Sequence, residues 1–223
     1  MTFTAVIFDL DGTLLDTLED LHETLDTLLA RHALPRHSIA TTRQLIGRGI
    51  RELVRNALPP DQADPETVDR LLPEFMALYA EGWNRHTKPY PGIPELLDQL
   101  GQSSLKLAIL SNKADHFTQL CAGTLLASWR FDAVLGNHHG IPPKPDPEGA
   151  LLLARMLGES PASILYIGDS GVDMLTATRA GMYPLGVLWG FRSADELRNN
   201  GAAALVTTPA EIAAILAQST RQP

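Results

Sequence analysis

The sequence predicts an α/β fold with a doubly wound parallel sheet and a small helical domain inserted after the first strand. Two observations predict the sheet: short apolar runs recur along the chain, and helix-like stretches separate several of them. A third observation predicts the insertion. The segment that follows the first apolar run has helical patterning and no convincing strand.

The predicted strands are short runs of apolar and β-favouring residues, as expected for strands buried on both faces of a parallel sheet. They cover residues 4–8, 105–110, 131–135, 164–167 and 185–188. Residues 148–157 and 173–180 have helical patterns that end at Gly158 and Gly181, and glycine commonly ends a helix. A last strand and helix are expected after Gly201. The alternation indicates a Rossmann-like core.

The predicted insertion covers residues 17–87 and leaves residues 1–16 and 88–223 as the core domain. Its first helix is indicated by leucines that recur on one face at helical spacing, namely Leu18, Leu21, Leu25, Leu28 and Leu29. The proline-rich stretch 88–94 is the expected return hinge.

Further helices are predicted within the insertion at residues 51–58 and 66–79. Pro73 is expected to kink or split the second of them, because proline removes a helical hydrogen bond. Asp16 followed by Glu19 predicts a capping box at the start of the first helix.

Composition restricts the expected partners. A formal net charge of −8 argues against a nucleic acid or an anionic membrane, since both require a positive surface. The single cysteine, Cys121, fits a reducing compartment, and residues 1–4 lack the pattern of a signal peptide. No stretch approaches the ~20 apolar residues of a spanning helix. We therefore expect a cytoplasmic protein.

Two acids follow the first predicted strand, at the end where open parallel sheets bind ligands. The spacing of Asp9 and Asp11 places both on one side of an extended backbone. Such paired charges favour a shared proton or a bound cation, and hard carboxylate oxygens favour Mg²⁺ over zinc. The backbone N–H groups of Gly12 and Thr13 are candidates for holding phosphate oxygens. On its own, this motif is as typical of a simple turn as of a ligand-binding site.

Three later polar segments add to this motif. Ser111 can donate its hydroxyl, and Asn112 its backbone N–H, to a phosphate, although serine after a strand is more often a helix cap. Lys144 lies among prolines, and their stiff backbone suits a cation held in a fixed position. The alternative is a solvated lysine, as is normal on a protein surface. Asp169 and Asp173 share one face if a helix begins between them, although Asp169 also suits a helix cap.

Together these segments resemble the four ordered motifs of the haloacid dehalogenase superfamily. The corresponding residues are 9–17, 111–113, 144–145 and 168–173. They cover the predicted core, and the insertion is similar to the small cap domain of that family. Residues 45–51 and 189–193, with the following Glu196 and Leu197, resemble its phosphoglycolate phosphatase branch.

The resemblance implies a magnesium-dependent phosphohydrolase that forms an aspartyl-phosphate. Asp9 would be the nucleophile, and Asp11 would protonate the leaving alkoxide and then deprotonate the attacking water. Asp9, Asp169 and a backbone carbonyl of Asp11 would hold Mg²⁺, which offsets repulsion between the anions. Lys144 would neutralise charge on the nucleophile and the phosphoryl group. Asp173 would orient metal-bound water or Lys144.

The resemblance also implies residues for substrate binding. Ser111 and nearby amides, including that of Asn112, would hold phosphoryl oxygens. In the insertion, Arg48 or Arg51 would bind a substrate carboxylate, and the alternative is an exposed arginine on a helical surface. The insertion would close over the site as a lid.

The function expected from this resemblance is hydrolysis of small phosphate monoesters, with 2-phosphoglycolate as the first candidate. Carbon–halogen displacement is disfavoured, because the dehalogenase branch lacks the second acid, Asp11. An inorganic pyrophosphatase, a sugar-phosphate mutase and a catalytically silent binding module remain alternatives, and the intact motif residues argue against the last. The expected partner is a small phosphorylated metabolite, with no nucleic acid and no membrane, bound by a monomer or homodimer.

Overall fold

The computed structural model of the chain describes residues 2–219. The predicted core domain also includes Met1 and residues 220–223, which lie outside the described residues. Across the described part, no helix combines the length and the apolar character needed to cross a membrane.

The described residues form two compact units. One contains the residues up to Leu15 and from Pro89 onward, and the other is Asp16–Lys88. The predicted boundaries differ from these by one residue at each junction. The two-residue strands Leu15–Asp16 and Lys88–Pro89 lie where the chain passes between the units.

The first unit is built on a sheet of six described strands, and every pairing is parallel. The strands are β1 Ala5–Phe8, β2 Lys106–Ala114, β3 Ala133–Asn137, β4 Ile164–Gly168, β5 Tyr183–Val187 and β6 Ala204–Val206. Their order is β3-β2-β1-β4-β5-β6. The chain winds outward from β1 in both directions, so the predicted doubly wound α/β fold is confirmed.

The central position of β1 follows from its composition. All residues of Ala5–Phe8 are fully buried, and Val6 pairs with Leu107 on one side and Leu165 on the other. A continuous apolar run suits a strand that is covered on both faces. The next residue, Asp9, therefore lies at the carboxyl end of the central strand. The chain leaves β1 towards β2 and returns on the opposite side as β4, which makes this end the topological switch point.

The second unit consists mainly of helices. Its described helices are α1 Leu18–Arg31, α2 Ile39–Leu45, α3 Ile50–Ala57 and α4 Pro65–Gly82. Helices α1 and α4 pack against each other and bury apolar side chains such as Leu25, Leu28, Phe75 and Tyr79. This burial stabilises the pair, because isolated helices of such lengths are marginal in water.

Two local features of this unit concern the predicted helices. Pro73 lies inside α4 and does not split it, since the helix runs from Pro65 to Gly82. Helix α1 begins at Leu18 without a capping box. Asp16 only accepts a hydrogen bond from the N–H of Leu18, at 3.3 Å.

Six α-helices are described in the first unit. They are α5 Ile93–Gly101, α6 Asp115–Leu125, α7 Glu148–Leu157, α8 Gly171–Ala180, α9 Ala194–Asn199 and α10 Pro209–Ser219. Helices α7 and α8 pack on one face of the sheet, around Ile7 and Tyr166. They end at Gly158 and Gly181 in the left-handed conformation, which confirms these two predicted helix ends. Helix α8 begins earlier than predicted, at Gly171.

Candidate active site

Polar residues meet at the carboxyl edge of the sheet. Asp9 follows β1, Ser111 lies in the last part of β2, and Asp169 follows β4. Lys144 comes from the connection between β3 and α7. All four are buried. Parallel strands bring their carboxyl ends to one edge, so residues that are distant in the sequence become neighbours here.

Three of the acids form a buried cluster. Carboxylate oxygens of Asp9, Asp169 and Asp173 all lie within 4.8 Å of one another. Burial and then the charge of Asp173 raise the pKa of Asp9 well above its usual value. The same two causes raise the pKa of Asp169 to about 7. Three buried carboxylates repel one another, so the cluster suits a bound cation.

Lys144 neutralises part of this charge. Its Nζ lies 2.8 Å from Oδ1 of Asp9 and 2.6 Å from Oδ1 of Asp173, and it donates to the carbonyl oxygen of Leu110 at 3.2 Å. Burial alone would lower the pKa of Lys144, but the carboxylates of Asp173 and Asp9 raise it well above its usual value. The lysine therefore stays charged, and one ammonium group contacts two of the three acids.

The backbone of Lys144 is held by Asn112. The side-chain amide of Asn112 donates to the carbonyl oxygen of Lys144 at 3.0 Å, and the N–H of Lys144 donates to Oδ1 of Asn112 at 2.8 Å. The sequence predicted substrate binding for Asn112 through its backbone N–H, and this stays a prediction. Its side chain holds the backbone of Lys144 through these two hydrogen bonds.

Asp173 links Lys144 to the start of α8. Its Oδ2 accepts hydrogen bonds from the backbone N–H of Ser170 at 3.1 Å and from its hydroxyl at 2.5 Å. Together with the bond that Ser170 accepts from the N–H of Asp173, these contacts form a capping box. Oδ1 of Asp173 thus contacts the ammonium group of Lys144, and Oδ2 receives both donors of Ser170. The orienting role of Asp173 towards Lys144 stays a prediction.

Two glycines make room for Asp169. A Cβ atom at Gly12 or at Gly190 would overlap Asp169, and Gly12 also has a φ of +87°. The backbone N–H of Phe191 donates to Oδ2 of Asp169 at 2.6 Å. In the sequence, residues 189–193 showed only a resemblance to the phosphoglycolate phosphatase branch. The structure gives Gly190 and Phe191 a specific place beside the acidic cluster.

The turn after β1 uses its own backbone donors. The N–H of Gly12 donates to the carbonyl oxygen of Leu15 at 2.8 Å, and that of Thr13 to Leu10 at 3.3 Å. The turn therefore satisfies these two N–H groups itself, and phosphate binding by them stays a prediction. The hydroxyl of Thr13 instead lies 3.5 Å from Oδ1 of Asp169.

Asp11 lies apart from the acidic cluster and is paired with Lys113. The Nζ of Lys113 is 3.1 Å from Oδ1 and 3.3 Å from Oδ2 of Asp11. No role was predicted for Lys113 from the sequence. The signal was its spacing of two from Ser111, which places both side chains on one side of an extended strand. The hydroxyl of Ser111 accepts the backbone N–H of Lys113 at 3.2 Å.

Arg48 and Arg51 belong to the second unit. Arg48 is exposed in the loop between α2 and α3. Arg51 lies in the first turn of α3, and its guanidinium group forms an ion pair with Asp69.

Comparison with known proteins gives the family. A sequence model described as haloacid dehalogenase-like hydrolase matches residues 6–187. The chain belongs to this family. The match begins in β1 and ends with β5, so it includes Asp9, Ser111, Lys144 and Asp169. The predicted family is therefore confirmed.

Individual relatives of this haloacid dehalogenase-like hydrolase are phosphatases. Phosphoglycolate phosphatase 1 of Pseudomonas aeruginosa is 34% identical over 83% of this chain and 70% of its own length. N-acetylmuramic acid 6-phosphate phosphatase of the same organism is 33% identical over 97% of this chain and 96% of its own length. The solved structure of a sequence-predicted phosphoglycolate phosphatase from Lactobacillus delbrueckii subsp. bulgaricus has a TM-score of 0.90 and 31% identity, covering 97% of this chain and 99% of that one. The predicted phosphatase class is confirmed.

Proposed function

We propose that this hydrolase is a Mg²⁺-dependent phosphatase that transfers the phosphoryl group of small monoesters to Asp9 and then to water. One observation carries this proposal. Lys144 contacts Asp9 within a buried acidic cluster at the end of the central strand. A carboxylate can attack an anionic ester only where nearby positive charges balance both anions.

Asp9, Asp169 and the backbone carbonyl of Asp11 are the proposed metal ligands. Oxygen donors favour Mg²⁺ over softer metals. Gly12 and Gly190 support this assignment, since side chains there would fill the space beside Asp169. The raised pKa values of Asp9 and Asp169 also fit a site that requires a cation. Bound Mg²⁺ would supply charge neutralisation between the nucleophile and the phosphoryl oxygens.

In the first step, a carboxylate oxygen of Asp9 forms a bond to phosphorus as the bond from phosphorus to the leaving oxygen breaks. Asp11 gives its proton to that oxygen, so the product alcohol leaves neutral. The ammonium group of Lys144 and the hydroxyl of Ser111 stabilise the charge on the transferring group. The products of this step are the alcohol and phosphorylated Asp9.

In the second step, Asp11 is a carboxylate and takes a proton from a water molecule. The water oxygen bonds to phosphorus as the bond between phosphorus and Asp9 breaks. Inorganic phosphate leaves, Asp9 is again a carboxylate and Asp11 is again protonated. One residue acts as acid and then as base because it faces the same side of phosphorus in both steps.

The proposed substrates are small phosphate monoesters that carry a carboxylate. Phosphoglycolate and N-acetylmuramic acid 6-phosphate, the compounds named for two relatives, both have one. We assign recognition of this carboxylate to the helical unit Asp16–Lys88, with Arg48 as the first candidate and Arg51 as the second. This unit would also exclude water from the site as a lid. A cytoplasmic location remains a prediction from the single cysteine, Cys121.

The test is phosphate release from a panel of esters, with Mg²⁺ or with a chelator, beside the D9N variant. The panel includes 2-phosphoglycolate, its carboxylate-free analogue 2-hydroxyethyl phosphate, N-acetylmuramic acid 6-phosphate, glucose phosphates and pyrophosphate. We expect metal-dependent release that is fastest from an ester with a carboxylate and absent in D9N. Preference for pyrophosphate, or isomerisation of a sugar phosphate without release, would instead identify a pyrophosphatase or a mutase. A folded wild-type protein that acts on none of these compounds would contradict the proposal.

A further inference from the structure

We propose that Lys113 is a positioning residue that orients the carboxyl group of Asp11 for proton transfer. The inference rests on the proposed function, in which Asp11 is the general acid and then the general base. The motif resemblance gave roles to Ser111 and Lys144 but none to this second buried lysine. Its contact with Asp11 in the structure is what suggests a role.

The burial of Lys113 makes this contact a specific one. Its side chain is only 1% exposed, and that of Asp11 is 16% exposed. A lysine that is removed from water is costly to the fold unless its charge is paired and hydrogen-bonded. The pairing involves both carboxylate oxygens, at 3.1 and 3.3 Å from Nζ. Two contacts from one ammonium group restrict rotation of the carboxyl group about its last bond.

The backbone around Lys113 is also held in place. The register between β2 and β3 shifts between Leu110 and Ala114, so Lys113 lies in the irregular part of β2. The hydroxyl of Thr118 donates to the carbonyl oxygen of Lys113 at 3.1 Å, and the N–H of Lys113 donates to the hydroxyl of Ser111. Irregular strand segments beside active sites commonly redirect a side chain. Here the redirected side chain is the one that reaches Asp11.

The two buried lysines have separate partners. Lys144 contacts Asp9 and Asp173, whereas Lys113 contacts Asp11. An ammonium group can donate to a carboxylate and also, more weakly, to the carbonyl oxygen of a carboxylic acid. The contact with Lys113 is therefore compatible with both forms of Asp11 that the two steps require, and the carboxyl group can keep one orientation throughout.

A positioning role and a purely structural role give different results with different leaving groups. An alkoxide requires a proton as it leaves, whereas p-nitrophenolate leaves without one. Loss of orientation at Asp11 should therefore slow the first step for alkyl phosphates much more than for p-nitrophenyl phosphate. A structural role would lower both rates by the same factor, through the fraction of folded enzyme.

The experiment compares kcat/KM for an alkyl phosphate and for p-nitrophenyl phosphate in K113M, D11N and the double variant. kcat/KM is informative because it reports the steps up to the first displacement. K106M is the matched control, since Lys106 is in the same strand but half exposed and paired with Glu159. We expect K113M to lose roughly 10- to 100-fold on the alkyl ester and less than about threefold on p-nitrophenyl phosphate. K106M should match the wild type on both.

The double variant tests whether Lys113 acts through Asp11. In the D11N background, K113M should lower kcat/KM for the alkyl ester by less than about twofold, since the group that it positions is already altered. Equal losses on both esters, or full additivity with D11N, would overturn the inference. A different outcome would contradict the proposed role of Asp11 itself. In that case, D11N would lower kcat/KM for the alkyl ester and for p-nitrophenyl phosphate by the same factor. If K113M does not fold, K113Q is measured in its place, and the ratio of kcat/KM for the two esters decides in the same way.

Discussion

Nζ of Lys144 lies 2.8 Å from Oδ1 of Asp9, and this contact joins the segment before α7 to the end of the central strand. Asp173 contacts the same ammonium group at 2.6 Å, while Asp169 lies beside them without a lysine contact of its own among the described ion pairs. Among the described ion pairs, this cluster of three buried acids therefore has one lysine, so we expect its stability and its activity to depend on charge balance.

Loss of Lys144 should destabilise the fold. In K144M, Asp9 and Asp173 lose their buried partner, so we expect the free energy of unfolding to fall by about 3–5 kcal/mol. Urea denaturation followed by circular dichroism measures the change. K106M is the control, because its ion pair is half exposed and should contribute less than about 1 kcal/mol. Similar losses in the two variants would show that Lys144 is not needed for charge balance.

A side chain at Gly190 should weaken metal binding. In G190A, the added methyl group would overlap Asp169 and displace its carboxylate, so we expect the affinity for Mg²⁺ to fall roughly 10- to 100-fold. Isothermal titration of the metal-free protein with Mg²⁺ measures this affinity. G123A is the control, because Gly123 is an exposed residue in α6 with open space around it. That substitution should leave the affinity unchanged and stabilise the helix by roughly 0.5–1 kcal/mol. Unaltered Mg²⁺ affinity in G190A would contradict the proposed site.

The metal-free protein should lose stability as the pH rises. The pKa of Asp169 is about 7 in the folded chain and about 3.9 in an unfolded one, so the folded state binds more protons between these values. The free energy of unfolding therefore falls as the pH rises from about 4 to about 7. Urea denaturation in a chelator, at several pH values in this window, measures the slope.

The control for this slope is D169N, whose neutral amide does not titrate. The variant should gain stability relative to the wild type as the pH rises through the window, and saturating Mg²⁺ should flatten the wild-type slope. Identical slopes for the two metal-free proteins would mean that Asp169 does not titrate as its burial implies.

The two cap arginines should differ in their effect on substrate binding. Arg51 is already paired with Asp69, whereas Arg48 lies exposed in a loop. We expect R48Q to raise KM for 2-phosphoglycolate by roughly tenfold or more, since hydrogen bonds to charged groups contribute about 1.5–3 kcal/mol. KM for 2-hydroxyethyl phosphate should change little, and R51Q should have the smaller effect. If R48Q raised both KM values equally, Arg48 would not bind the carboxylate.

Much of the site could be predicted because the ends of buried strands can be recognised from the sequence. An apolar run that stops at an acid locates the carboxyl end of a buried strand, and this places Asp9 and Asp169 at one edge of the sheet. Glycines after helical patterns likewise located the ends of α7 and α8. In each case, the signal lies within a few neighbouring residues.

The remaining features depend on contacts between distant segments. The pairing of Lys113 with Asp11 requires the register of β2 against β1, and the place of Gly190 beside Asp169 requires the loop after β5. The spacing of Lys113 from Ser111 places both side chains on one side of β2, but it does not identify the partner of Lys113 on another segment. The hydrogen bonds of the turn at Gly12 could not be predicted for a related reason. Which acceptor a backbone N–H finds depends on the closed turn and not on residue type.

The most direct test of the central claim is to trap the phosphoryl group on Asp9. D11N should react with p-nitrophenyl phosphate and Mg²⁺ in a burst of p-nitrophenolate that is stoichiometric with enzyme, because the second step then lacks its base. After an acid quench and proteolysis, mass spectrometry should find one phosphoryl group on Asp9, and the double variant D9N/D11N should show neither burst nor label. A burst with the phosphoryl group on another residue, or turnover by folded D9N, would contradict the assignment of Asp9 as the nucleophile.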